Sequence, residues 1–308
     1  MRRTVTKVEL EGVNGRFITL SGEGSDESST YLATGMSGFM DVPVEVLRGS
    51  HAFQEGSSYL GKRILERPLE FGVVIDSTNG EPWQENDSEF RLMWSHDEDC
   101  KLWIETETSR RYLKIRPLEF TYDIEYDPNQ TQIETVKLKL VAMDPWWYEE
   151  DYTATWVATE DTTDGHFQLG TIPAVNRSHI EVYPEWLLQA PGIPRLPDFS
   201  WGDKRHNGYG TNGYFDAATV FATRQIVMAE LLPNFPVRVE TRPDARDGGF
   251  QSGDQSYRQR MQMVRFLYPI PAHTAAVQLP VGMSKALPGT GIQLRIPQPW
   301  SRPWGLQA

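Results

Sequence analysis

The chain has 308 residues, 39% hydrophobic, with 25 glycines, 21 prolines and one cysteine, and that length suffices for two domains with separate cores. Thirty basic against 42 acidic residues give a formal charge of −12, which sets the surface as a whole against tight binding to nucleic acid or anionic lipid. With Cys100 alone, no internal disulfide forms, which suits synthesis in a reducing compartment. Met1 to Lys7 lack the apolar stretch of a signal peptide and no 18-residue apolar run occurs, so a chain made soluble is expected and the sequons at Asn86, Asn129 and Asn176 read as chance matches.

Strand-like runs come first: Lys7 to Leu10, Arg16 to Leu20, Val42 to Leu47, Leu69 to Ile75 and Leu102 to Glu105. Between the last two, Asp87 or Ser88 can cap a short helix over Ser88 to His96, with Phe90, Met93 and Trp94 on one face. A polar, small-residue loop covers Gly22 to Ser29. Arg63 and Arg67 are the nearest approach to a basic patch, but no Lys/Arg run is interleaved with aromatics as a nucleic-acid surface needs.

From Tyr112 to Tyr148 the pattern predicts one long hairpin. Leu118, Phe120, Tyr122, Ile124 and Tyr126 alternate with polar residues, and Val136, Leu138, Leu140 and Ala142 answer them after a turn through Pro128-Asn129-Gln130. Parity requires opposed residue numbers to sum to an even value. A sum of 260 sets Ile124 against Val136 and Tyr122 against Leu138, with Asp123 opposite Lys137 as an exposed pair worth at most about 0.2 to 1 kcal/mol. Phe120, Tyr122 and Tyr126, if turned inward, each hide roughly 150 to 250 Å² and outweigh that pair. The hairpin closes on Asp144-Pro145-Trp146-Trp147-Tyr148, where adjacent Trp146 and Trp147 must take opposite faces of a continuing strand, one toward the core and the other toward an interface.

A boundary is placed near residue 151, giving domains over 1–151 and 152–308. Polar connecting sequence is expected through Asp164-Gly165, then short strands around Ile180 to Tyr183, Phe221 to Leu232, Met261 to Tyr268, Ala276 to Val281 and Ile292 to Ile296, consistent with a β-sandwich. No period of 20 to 50 residues repeats. Trp300 and Trp304 follow prolines in an extended tail and are suited to pin it onto a domain or a neighbour.

Taken together, Gly56-Ser57-Ser58-Tyr59-Leu60-Gly61-Lys62-Arg63-Ile64, the helix, Arg111-Tyr112-Leu113-Lys114-Ile115-Arg116-Pro117 and Met143-Asp144-Pro145-Trp146-Trp147-Tyr148 resemble the distal tail protein family of long, flexible-tailed phages. Tyr268-Pro269-Ile270-Pro271-Ala272 and Pro299-Trp300-Ser301-Arg302-Pro303-Trp304-Gly305 look like the tail-tip proteins of phages infecting actinobacteria, and the likeness spans nearly the whole chain. The resemblance implies a mainly β protein with an N-terminal ring-forming β-sandwich or barrel domain bearing one short helix, and a C-terminal galectin-like β-sandwich. It further implies a homohexameric ring in the virion tail tip, joining the tail tube to tape measure and tail-associated hub or baseplate proteins around a DNA channel. Head-to-tail contact closes such a ring without open ends, and an acidic lining keeps passing DNA from sticking. Some members of the family carry an inserted carbohydrate-binding module, for which no segment here is long enough.

Catalytic and cofactor signals fail on context. Gly208-Tyr209-Gly210-Thr211-Asn212-Gly213, with Glu230 about 20 residues on, has dinucleotide-fingerprint spacing but follows a polar loop and lacks βαβ alternation. The six histidines show no ligand spacing. Asp97-Glu98-Asp99 and Glu149-Glu150-Asp151 read as solvated turns rather than a glycosidase pair. Asp244 to Gly248 departs from calcium-loop spacing, and Gly249 to Gly253 misplaces the serine of a nucleophile elbow. The sequence thus reads as a non-enzymatic ring former without cofactor, metal or membrane insertion, with Trp146, Trp147, Tyr148, Trp300 and Trp304 as structural or interface residues. The alternative is a carbohydrate-binding adhesin acting through the C-terminal sandwich, with Trp186 or Trp201 stacking on sugar.

Overall fold

The computed structural model describes residues 6–33, 35–122, 124–206 and 216–307. The chain divides into two compact units, Met1–Glu149 with Trp300–Leu306, and Glu150–Pro299 with Gln307–Ala308. The fold is mainly β.

In the first unit, β1 (Lys7–Glu11), β2 (Phe17–Ser21), β3 (Thr30–Leu32), β4 (Val44–Gly49), β5 (Ser58–Ile64) and β6 (Arg67–Asp76) precede α1 (Trp83–Leu92). Then follow β7 (Cys100–Glu105), β8 (Arg110–Tyr122), the single turn α2 (Pro128–Thr131), β9 (Ile133–Ala142) and the start of β10 (Trp147–Val157). Leu69, Phe71, Val73 and Ile75 alternate inward along β6 and are buried with Val136, Leu138 and Leu140 of β9, each worth roughly 1.5 to 3 kcal/mol. The two strands pair antiparallel from Arg67↔Ala142 to Asp76↔Ile133.

β8 touches β10 at Tyr112↔Tyr148 and divides its length between two longer partners. Residues 110–115 pair with β7, and residues 116–122 pair with β9 across an irregularity between Pro117 and Glu119. A bulge bends a strand and strengthens its twist, so one strand turns the corner between two sheets that enclose a single core.

The hairpin register differs from the expected one. Tyr122 faces Val136 and Phe120 faces Leu138, so the opposed numbers sum to 258. Parity, and with it the choice of faces, is as expected, but the pairing lies two residues away. The connection is longer than a tight turn because Asp127 caps α2, accepting from the Asn129 N–H at 3.0 Å, and Gln132 takes a left-handed conformation. Leu118, Ile124 and Tyr126 are exposed rather than inward; the bulge throws Leu118 outward and the other two lie beyond the last pair. Asp123 lies outside the described residues, but Lys137 faces Thr121 rather than residue 123, and Glu119 with Lys139 (2.8 Å) forms an exposed pair on this hairpin.

The helix starts five residues before the expected position, with Pro82 at its N-cap. Asp87 is therefore internal and accepts from the Tyr122 hydroxyl at 2.7 Å. Phe90 and Met93 are buried as the spacing required.

The second unit is a two-sheet sandwich. β10 continues to Val157 and so takes the first part of the expected polar connection, while β11 covers Phe167–Asn176, just after it. Thereafter come β12 (Glu185–Leu188), β13 (Ile193–Pro197), α3 (Ala217–Val220), β14 (Gln225–Val227), β15 (Val237–Glu240), β16 (Phe250–Ser252), α4 (Tyr257–Arg260), β17 (Thr274–Ser284) and β18 (Gly291–Trp300). One sheet runs β16-β15-β12-β18-β10 and the other β11-β17-β13-β14. Trp186, Leu188, Val239, Ile292 and Leu294 from the first meet Ile172, Leu196, Leu279, Val281 and Met283 from the second.

Two expected strands are absent. Ile180 to Tyr183 contributes one bridge, Val182↔Ile270, and Met261 to Tyr268 is broken by positive φ at Gln262 and Met263.

Candidate assembly surfaces

Among the described residues β4 and β5 pair only with each other, from Val44↔Ile64 at the base to Gly49↔Ser58 near the tip. No alternation separates a dry face from a wet one: Val44, Val46, Leu47, Phe53, Tyr59, Leu60 and Ile64 are all exposed. Phe53, at the tip, has φ 68° and a side chain entirely in solvent. The tip is organised, since the Gln54 carboxamide accepts from the His51 N–H at 3.0 Å and donates to the Ser58 hydroxyl at 3.0 Å. A lone two-stranded ribbon is marginal in water, and contiguous exposed apolar surface marks an interaction site.

At the base of this arm lies a cleft of about 480 Å³. Val8, Phe39 and Ile104 supply buried wall, while Met36, Met40 and Trp304 are part-exposed at its rim. Its walls are held by a buried cation. The Arg67 guanidinium donates to the carbonyls of Pro145 (2.9 Å), Gly38 (2.9 Å), Phe39 (3.0 Å), Met40 and Ser301 (2.9 Å). Arg67 is fully buried, so it belongs to no surface basic patch. Burial pushes its pKa down to about 10, with Asp41 acting in the opposite sense, and it stays charged at neutral pH.

The tail segment Trp300–Leu306 is fixed into the same unit. Arg111, also fully buried, donates to Glu149 at 3.0 Å and to the Arg302 carbonyl at 2.9 Å, and its guanidinium stacks 3.9 Å from the Trp300 ring centre. Burial lowers the Arg111 pKa and Glu149 opposes the shift. Arg302 in turn grips Asp41 through two bonds of 2.6 and 2.7 Å. Trp304 reaches the cleft by this route.

On the second unit, the outer face of the β16-β15-β12-β18 sheet carries Gln251, Arg238, Leu187 and Gln293 in one cross-strand row. A groove of about 770 Å³ runs over it, with Gly253 and Gly291 also in its lining. The adjoining row sets Glu240 opposite Glu185, a like-charge pair that Arg238 bridges at 2.8 and 3.6 Å.

No family model matches the chain. Minor tail protein Gp27 of Mycobacterium phage L5 is 29% identical over an alignment of 340 positions covering 99% of this chain and 99% of that protein. Gp27 of Mycobacterium phage D29 matches at the same identity and coverage. The chain is thus similar over its whole length to two mycobacteriophage minor tail proteins. The crystal structure of the SPP1 Dit protein (gp 19.1), described as a hub adsorption apparatus of phages infecting Gram-positive bacteria, shares the fold with TM-score 0.51. It is 12% identical and the match covers 96% of this chain and 99% of that one.

The aromatic residues singled out by sequence divide sharply. Trp147 is fully buried in the first core and donates to the Phe39 carbonyl at 3.1 Å. Trp146 is part-buried, and the part-buried Tyr148 hydroxyl donates to Asp144 at 2.8 Å. Trp300 is buried and Trp304 is 38% exposed. Trp186 has no exposed surface, which corrects its assignment to sugar stacking: alternation along β12 sends Trp186 and Leu188 inward and Leu187 outward. Trp201 packs part-buried against the second core. The glycine-rich Gly208 to Gly213 lies outside the described residues.

Charged runs are engaged structurally, with Asp99 paired to Arg116, Glu149 to Arg111 and Asp151 to Arg295. Among the described residues no three His, Cys, Asp or Glu side chains gather as a metal site, and no helix is long and apolar enough to cross a membrane. The arm was the surface that sequence reasoning missed. Its signal was apolar residues on both parities of one strand, at Val44, Val46 and Leu47, without a matching buried partner strand.

Proposed function

We propose that this tail protein is the structural hub of a phage tail tip, in which the first unit closes with five further copies into a hexameric ring. The ring joins the tail tube to tape measure and tail-associated hub or baseplate proteins, and DNA passes through its channel without specific binding. The observation that carries this reading is the β4–β5 arm, an apolar two-stranded ribbon that no other strand of the described residues covers. The full-length likeness to minor tail proteins and the Dit fold agree with it. The protein is a component of the virion tail and works without catalysis; the net charge of −12 suits a channel wall that must not retain phosphate. Light scattering and negative-stain electron microscopy test the ring. A mass near six times 35.2 kDa with an open centre supports it, and particles of another order in assembled tails overturn it.

A second reading gives the C-terminal unit, a galectin-like sandwich, a carbohydrate-binding role in host adhesion. It is favoured by the groove over Gln251, Leu187 and Gln293, where the carboxamides of Gln251 and Gln293 offer donors and acceptors to neutral hydroxyls, rather than by Trp186 or Trp201. Glycan binding lost on Gln293→Ala supports it; binding unaffected by Gln293→Ala and Gln251→Ala removes this site.

A further inference from the structure

We infer that the ring contact is an arm exchange, in which the apolar tip of one copy's β4–β5 arm seats in the cleft beneath Trp304 of the next copy. This rests on the ring reading and names its contact.

Four observations on the first unit converge on a second copy as the occupant. The arm exposes large apolar side chains at its tip, Phe53 above all, and along its end, Tyr59 and Leu60. The cleft is apolar in its walls and rim, through Val8, Phe39, Ile104, Met36, Met40 and Trp304, and methionines adapt to the shape of an inserted ring.

The arm cannot fill its own cleft. Met40 and Asp41 line the cleft and β4 begins at Val44, so the arm is rooted beside it. Six residues of β4 and the tip turn carry Phe53 roughly 20 Å away at about 3.3 Å per residue. The contact is therefore between molecules, with donor and acceptor surfaces different, which is the arrangement that closes rings or grows filaments.

Charge points the same way. From Val44 to Ile64 the arm carries Arg48, Lys62 and Arg63 against Glu45 and Glu55, a net of +1 in a chain of net −12. The loop leaving Ser21, itself part of the cleft, carries Glu23 and Glu27. Opposite charge at the rim of an apolar contact fixes orientation and discriminates against wrong partners.

Cysteine cross-linking reads this contact cleanly because Cys100, the native thiol, is buried. Two pairs are built in separate chains, Phe53→Cys with Met36→Cys, and Leu60→Cys with Met40→Cys, and oxidised both in purified protein and in assembled tails. The expected result is a covalent ladder in steps of 35.2 kDa that stops at the ring number, while each single-cysteine variant stops at dimer. Rings seen by microscopy with no ladder from either pair overturn the arm exchange and leave the ring reading standing. Assembled tails with no ring of this chain overturn both.

A mixing experiment gives a second readout. Phe53→Ser removes the tip and Met36→Asp spoils the cleft; each alone is expected to stay monomeric with an unchanged melting temperature, since both side chains are exposed. Mixed one to one, they retain one good arm and one good cleft, and are expected to give heterodimers but no rings. Rings from the mixture, or no association in conditions where wild type forms rings, overturn the proposal.

Discussion

The Nη2 nitrogen of Arg67 donates to the carbonyl of Ser301 at 2.9 Å, joining residues 234 positions apart. The same guanidinium holds the strap at Gly38 to Met40 and the Pro145 turn. One buried cation thus ties three chain segments that line or support the cleft, and its partners are carbonyl oxygens.

Arg67→Met leaves those carbonyls without their donor in a dry site, and each unsatisfied buried group costs about 1 to 3 kcal/mol. A loss of at least about 3 kcal/mol is expected in urea unfolding. Arg67→Lys should recover only part of it, because an ammonium has three donors and no planar fork.

Trp147→Ala empties a fully buried site and removes the bond to Phe39. A destabilisation of about 3 to 5 kcal/mol is expected, visible as a fall in the urea midpoint of the first unit. Trp147→Phe keeps most of the volume and loses the bond, so it should fall between the two.

Gly38 has φ 82°, and a Cβ there would lie 2.0 Å from the Pro68 carbonyl oxygen. Gly38→Ala must displace the strap that carries Phe39 and Met40. Thermal melting should drop, and the Phe53/Met36 cross-link should weaken with it, whereas Gly35→Ala, with open space around its Cβ, should leave the cleft intact despite its own positive φ.

Burial pushes the Cys100 thiol up to about 11 from its ordinary 9.0, and the thiol donates to the Met93 carbonyl at 3.2 Å. Because the folded state holds this proton more tightly than the unfolded chain, the stability it contributes is complete below pH about 9 and is lost as pH rises toward about 11. Native protein should resist iodoacetamide at pH 9 and react rapidly in urea; fast alkylation without urea would show the site to be open.

Trp186→Ala is expected to cost about 3 to 5 kcal/mol in the second unit, because its ring lies wholly inside the sandwich. Any glycan binding by this unit should survive Trp186→Phe and respond instead to Gln251 and Gln293.

Alternation alone determined much of this protein. The inward sets of β6 and β9, the buried face of α1 and the mainly β class follow from local periods, because a strand or helix with one dry side writes its own spacing into the sequence. Parity in the 118–140 hairpin also gave the correct face for Phe120 and Tyr122, which pack against the core, since a shift of two residues keeps a side chain on its side of the sheet. What parity cannot supply is the absolute register, which the capped turn at Asp127 and the bulge at Pro117 decide together.

The rest belongs to tertiary structure. Arg67 and Arg111 look like surface cations in the sequence; only distant carbonyls, the Trp300 ring and Glu149 make their burial tolerable. Trp186 and Trp304 are equally aromatic on paper, yet one is sealed in a core and the other lines an open cleft, because exposure is set by which strands cover a residue. The arm is the clearest case: its apolar residues are as hydrophobic as those of β6, and what separates a core strand from an interaction surface is that β6 has β3 and β9 beside it while β4 and β5, among the described residues, have only each other.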